Sequence, residues 1–309
     1  MLGEKDLIIE GANDVARGQS KRDNRQEVED GIRGAKADDE EVDLLTALAL
    51  AARTVHSKNT SPSTIVVVDS GLSTLPPLDF TREGMLDAEP QDVVKSLKAQ
   101  DALPALDGIK VVWQGMGDTA APQDSLSNGQ RKNLQAIWEA VLAAAGSELG
   151  VEEHPLTEPG AEGLPEVTPV PLPKPECTPG SVTLTGADVA FRPDSDDFVD
   201  EAAAREALAP IAEQLVAAEG VTVTLTGTTV NTGGLSGQIG LSQDRAGAVL
   251  RLLARLGVPE TSMTAEGVGS NFAGYVPDGS PDGPLEPAAA AQNRRVIVTP
   301  SRENVLTCP

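Results

Sequence analysis

The sequence predicts an α/β protein of two domains joined by a spacer. Three observations predict it. Helix, buried strand, helix, buried strand, helix succeed one another through the first half, an order that builds a parallel, Rossmann-type sheet. The stretch 221–269 reads as strand, glycine-rich loop, helix, turn and second strand. Between the two, residues 155–179 hold eight prolines among interleaved acids without apolar periodicity. Such a segment is extended and semi-rigid. The expected bounds are a first domain over 1–147, a spacer over 148–179, a second domain over 180–300 and a tail over 301–309.

Residues 5–10 (KDLIIE) read as a short strand. Residues 12–39 are polar and charged, with one helix expected near 25–34. EEVDLLTALALAARTV (40–55) is a helix with Val42, Leu45, Leu48, Ala49 and Ala52 on one face and acids in its first turn. The run 65–68 is continuous and β-branched, as in a strand covered on both faces. Pro76 and Pro77 mark a turn. A helix follows over 90–100, a second buried strand over 109–113, and a helix over 125–146 with Leu134, Ile137, Trp138, Val141 and Leu142 inward.

After the spacer, SVTLTGADVAF opens the second domain, and PDSDDFVDEAAA caps a helix that runs toward Ala218, with Pro210 kinking or restarting it. VTVTLT places Val221, Val223 and Leu225 on one face of a half-buried strand. Ser242 suits an N-cap and Asp244 the first turn of the next helix. Ala246, Val249, Leu250, Leu253 and Leu256 share its apolar face, and Gly257 with Pro259 end it. Residues 271–291 read as a Gly/Pro-rich loop, and VIV (296–298) as the last strand.

The chain carries 47 acidic against 24 basic residues, a net charge of -23. That excludes nucleic acid, which needs a basic footprint, and an anionic membrane surface. With aromatics at 2 %, the cores must be built from Ala, Val, Leu and Ile. No run approaches 18 apolar residues, so no transmembrane segment is predicted, and the first residues lack an apolar signal-peptide region. His56 and His154 lie in no zinc spacing and no nucleophile signature occurs, so the sequence points to a binding protein without a cofactor, not an enzyme.

Arg245 breaks a local rule, because a cation in a helix's first turn opposes the dipole by a few tenths of a kcal/mol. Either it pairs with a neighbouring carboxylate, or its planar fork is aimed at an anionic ligand beside the loop.

The motifs GTTVNTGG (227–234), LSQDRA (241–246), EGVG (266–269) and NRRV (293–296) resemble, in order and spacing, the C-terminal domain of the OmpA family. The resemblance spans about 182–299. It implies a βαβαβ α+β sandwich that holds peptidoglycan non-covalently through the diaminopimelate of the stem peptide, in the bacterial cell envelope outside the cytoplasm. By that resemblance the ligand's carboxylate falls to Arg245. Thr229, Val230, Asn231 and Gln238 form the rest of the site, with Asn293 and Arg294 structural or at its rim. Thr228 stands at the family's usual His. Val230 stands where the family carries an Asp for the ligand's ammonium. A valine cannot accept a hydrogen bond or balance a cation, and losing one partner of a desolvated pair costs about 2–5 kcal/mol. Three outcomes stay open: a modified stem peptide, a substitute carboxylate such as Asp188 or Asp196, or a scaffold for protein partners that no longer binds the wall. Cys177 and Cys308 bracket the region, whose first and last strands share a sheet by the same resemblance. A disulfide there would close a loop of about 130 residues, stabilising by about 4–5 kcal/mol; two free thiols are the alternative.

The helix DLLTALALAA before IVVVDSG, and the later IKVVWQGMG, resemble a small or incomplete von Willebrand A-like domain, which implies a protein partner for the first domain. Asp69 and Ser73 (in DSGLS) are its weak metal-ligand candidates, against a plain polar strand end. Gly115 and Gly117 lack the third glycine of a nucleotide loop and read as a strand-end turn.

Overall fold

The computed structural model describes residues 7–35, 37–58, 62–152, 163–172, 176–178, 180–279 and 283–307. The chain forms two compact units, one of Met1–Glu40 with Pro159–Val167, the other of Glu41–Glu158 with Thr168–Pro309. In the first, helix α1 (Asp14–Gly34) is capped by the Asn13 side chain and has no buried residue. It is held by its own surface, with Arg25–Glu29 at 3.0 Å and Gln26 donating to Asp30. Such pairs stabilise by a few tenths of a kcal/mol each. The helix is twice as long as expected. The preceding strand is not found over residues 7–10, and Lys5 and Asp6 lie outside the described residues. Glu10 N–H and the Ile8 carbonyl bond instead to the Ser20 and Asn24 side chains.

In the second unit, β1 (Ser63–Val68), β2 (Ile109–Gln114) and β3 (Glu148–Glu152) form a parallel sheet in that order. Helices α2 (Leu44–Ser57), α3 (Pro90–Ala99) and α4 (Asn128–Ala144) pack with it. Ser127 and Gln130 form a reciprocal capping box on α4. Leu45, Leu48, Val93, Leu97, Val111, Trp113, Leu134 and Trp138 make one core, with the two indoles 4.8 Å apart. Trp113 and Trp138 donate their Nε1–H to the carbonyls of Asp69 and Gly71, so both polar handles are satisfied. The expectation that 65–68 is covered on both faces fails. Ile65 and Val67 join the core, but Val66 and Val68 are 65 % and 60 % exposed, because β1 is an edge strand with helices against one face.

The region expected as a spacer contributes structure at both ends. Residues 148–152 are β3, and Val170 is buried in the same core with its N–H bonded to Gln123. Residues 153–162, with His154, lie outside the described residues.

The second sheet has five strands ordered β4 (Glu176–Thr178), β5 (Ser181–Leu184), β8 (Val296–Pro300), β6 (Val223–Gly227), β7 (Met263–Gly267). Only β6 and β7 are parallel neighbours. Helices α5 (Glu201–Ala217) and α6 (Leu235–Arg255) supply Leu208, Ile211, Leu215, Val249, Leu252 and Leu253 to its core, which Val182, Val223, Leu225 and Val298 meet from the sheet. Pro210 is accommodated inside a continuous α5. The expected tail is packed, since Leu306 is buried in this core and Thr307 bonds Gln214. The expected loop over 271–291 ends in a helix, α7 (Pro287–Asn293), capped by Glu286. Cys177 lies in β4, but its side chain and Cys308 are outside the described residues, as is the bridge expected between them.

The two sheets meet within this unit. Arg82 pairs with Glu286 at 2.8 Å, Lys132 with Asp200 at 2.6 Å, and Gln292 donates to the Glu83 carbonyl. Asp87, ending the 3-10 turn Met85–Asp87, borders a cavity of about 80 Å³ with Gly186, Val189 and Arg294. Burial pushes its carboxyl up to about 7; a Thr185 hydrogen bond opposes this and the Asp188 charge adds to it.

Two outcomes are expected. Trp138→Ala should destabilise the second unit by about 3–5 kcal/mol in denaturant unfolding, through lost burial and the cavity left. Asp87 holds its proton more tightly folded than unfolded, so stability should fall as pH rises from about 4 to about 7. Asp87→Asn should flatten that slope and raise stability at pH 8, by up to roughly 4 kcal/mol at about 1.4 kcal/mol per pKa unit. Thermal melts at pH 4, 6 and 8 check both points.

Candidate functional site

The site is built where β6 and β7 end against α6. A Cβ on Gly227 would stand 1.9 Å from the Ser242 carbonyl oxygen, and one on Gly267 2.3 Å from that of Ile239. Only glycine permits this approach. Ser242 is fully buried there, donating to the Ile239 carbonyl and accepting from Gly269 N–H. It is therefore not the N-cap that its sequence context suggested. The helix begins seven residues earlier, after Gly234, and the glycines at 237 and 240 lie inside it.

Arg245 accordingly sits in the third turn, and its conflict with the helix dipole disappears. It is 6 % exposed. Nε donates to the Ser195 carbonyl at 3.0 Å, Nη2 to that of Arg192 at 3.2 Å, and the guanidinium lies 5.3 Å from the Phe191 ring centroid. Phe191 in turn stacks on Phe198. These contacts fix the fork and leave Nη1 without a hydrogen-bond partner among the described residues. Burial, then the charge of Arg294, holds its pKa below the usual arginine range, opposed by Glu89.

Residues 228–234 carry the chain from β6 into α6. Thr228 N–H and hydroxyl bond the carbonyls of Arg295 and Asn293, and Thr229 N–H that of Gly269; both are buried. Val230 packs with Leu285 and Ala290. Asn231 N–H bonds the fully buried Asp278, whose carboxylate also takes Asn293 Nδ2 at 2.9 Å and the Tyr275 hydroxyl. Gln238 gives Nε2 to Asn231 Oδ1 and to the carbonyls of Thr232 and Gly233, while Oε1 accepts from Ser270. Gln238 and Asn293 thus hold loops, with their polar atoms spent inside the protein.

Thr229, Val230, Gln238, Arg245 and Arg294 line one cleft of about 510 Å³. Asn231 and Asn293 lie behind it. The substitutes considered for the missing carboxylate are elsewhere: Asp188 caps Thr185 N–H, and Asp196 pairs with Arg251 at 2.7 Å. Asp69 and Ser73 belong to the other sheet. Asp69 accepts from Gly71 N–H, and the buried Ser73 hydroxyl donates to the Val42 carbonyl, so these oxygens serve turns. Among the described residues no three His, Cys, Asp or Glu side chains cluster as a metal site.

Sequence reasoning missed the opposite wall of the cleft, where Glu89, Gln91, Asp92 and Lys95 come from the start of α3. Arg294 Nη2 reaches Glu89 Oε2 at 3.0 Å and also pairs with Asp92. Burial raises the Glu89 pKa, Arg294 opposing it. Nothing local in E-P-Q-D marks these residues, since they stand more than a hundred positions from the loop they face.

The OmpA family model matches residues 190–275. No curated protein matches the chain. Among solved structures, the chain is similar to the peptidoglycan-associated lipoprotein of Burkholderia pseudomallei, with 27 % identity over 40 % of this chain and 90 % of that one, at a TM-score of 0.31. The cell wall anchor of the T6SS from Pseudomonas aeruginosa gives 28 % identity, 38 % and 78 % coverage, and 0.31. The periplasmic domain of Helicobacter pylori MotB gives 19 %, 39 % and 74 %, and 0.33. The family match over 190–275, which takes in the loop over 228–234 and helix α6, rather than these superpositions, carries the assignment: that part of the chain is an OmpA-like domain.

Proposed function

We propose that the protein is a binding module of the cell envelope, outside the cytoplasm, whose OmpA-like domain holds a peptidoglycan stem peptide non-covalently. The observation that carries this reading is Arg245. It is buried and locked by two carbonyls and an aromatic face, yet lines an open cleft with one nitrogen unspent. A preorganised, half-desolvated guanidinium is suited to a carboxylate, because little ordering cost remains to be met on binding. The names of the relatives, a peptidoglycan-associated lipoprotein and a cell wall anchor, support the same ligand class. The ligand is a diaminopimelate-type or modified stem peptide.

We read the three-stranded sheet as a reduced von Willebrand A-like module that meets a protein partner. No helix among the described residues is long and apolar enough to cross a membrane. The chemistry of the cleft is recognition, with three cations and several carboxylates placed for ion pairing, so the protein acts as a tether and not as an enzyme. The competing role is a protein-interaction scaffold, raised by the apolar Val230 at the loop's ligand position, but the family match speaks for the first reading.

Arg245→Ala is expected to cut retention on purified sacculi at least tenfold, as for other truncated desolvated charge pairs. A melt of the same variant separates this from unfolding. Undiminished retention by a folded variant would sink the peptidoglycan reading in favour of the scaffold.

A further inference from the structure

Arg245 answers one half of a zwitterion. At the loop position Val230 does not answer the other half, because it is apolar and packed away with Leu285 and Ala290. Among the described residues the carboxylates bordering the cleft are Glu89, Asp92 and Asp194. Asp92 is spoken for, since both Arg294 and Lys95 meet it. Asp194 is exposed on the 192–195 turn, where water screens it. Glu89 differs from both. It is the residue before α3, its side chain is 18 % exposed, and Arg294 holds only Oε2. Among the described residues no donor meets Oε1. Arg294 fixes the carboxylate's position without neutralising all its acceptor capacity, as a carboxylate offers about four lone-pair sites.

We propose that the cleft is a composite site, in which Glu89 from the three-stranded half supplies the anion that the loop of the OmpA-like half lacks. The ligand class is a zwitterionic amino-acid end, its carboxylate on Arg245 and its ammonium on Glu89 Oε1. This rests on the stem-peptide reading above. The pairs Arg294–Glu89 and Arg294–Asp92 then have a binding role as well as a structural one, because they hold the second half of the site over the first. The raised pKa of Glu89 fits an acid enclosed without a full set of partners, which a bound ammonium would draw back down.

The test is calorimetric titration of the full chain with a diaminopimelate-containing muropeptide, and with the same muropeptide N-acetylated at the free amine of its diaminopimelate. The unaltered protein is expected to prefer the free amine at least tenfold. Glu89→Gln should lose that preference while its affinity for the acetylated form stays within about twofold. Val230→Asp, placed in the Glu89→Gln background, should restore the preference from the loop side. A structural role for Glu89 would lower both affinities together and would not be rescued at Val230; that outcome overturns the inference. So does tighter binding by Glu89→Gln, which would mean that the carboxylate occupies the ligand's own place. Binding lost in Arg245→Ala but unchanged in Glu89→Gln overturns the inference alone. No binding by the unaltered protein overturns the stem-peptide reading and the inference with it.

Discussion

In the OmpA-like domain two strand ends meet a helix at a place that only glycine allows. Gly227 and Gly267 bring β6 and β7 against the α6 backbone at Ile239 and Ser242, and the buried Ser242 hydroxyl ties that point to Gly269. Everything in the cleft follows from it. The loop over 228–234 must leave the sheet at this place, Gln238 must lie beneath it, and Arg245 must emerge about two turns further along α6. A side chain at either glycine would push the helix away from the sheet, and the arginine with it.

A second constraint is electrostatic. A chain with a net charge of -23 must place its few cations with care. In the cleft they are arranged in sequence. Among the described residues Arg245 meets no carboxylate at bonding distance and is held by backbone carbonyls and a ring, whereas Arg294 carries two acids from the other half of the unit. Burial raises the cost of an unpaired charge, and it holds the Arg245 pKa below the usual arginine range while Glu89 opposes the shift. The same logic applies to Asp87 at the seam between the sheets, where burial leaves the carboxyl proton-holding near neutrality.

Much of this was legible in the residues. The helices over 90–99 and 128–144, the alternation in VTVTLT and the stop at Gly257 followed from period and punctuation. The four C-terminal motifs pointed to the OmpA-like domain by their resemblance, in order and spacing, to that family. The errors share a cause. Ser242 looked like a cap because Ser is a good cap, yet the helix already runs from Leu235, with Gly237 and Gly240 inside it. The run 65–68 looked doubly buried because β-branched residues favour strands, whether central or edge. The prolines after 155 concealed that the five residues beginning the supposed spacer pair with β2.

By itself, then, the sequence determined the alternation of helices and strands, the acidic character and, by resemblance, the OmpA-like segment. These are properties of short windows, in which period, turn chemistry and spacing act over a few residues. Tertiary structure alone decided that Gln238 and Asn293 hold loops, that Asp188 and Asp196 face away from the cleft, and that Glu89 and Asp92 form its far wall. Those facts depend on which surfaces of distant segments touch. Docking of the start of α3 against Arg294 is a contact across 202 positions of chain, settled by packing and charge pairing between folded parts.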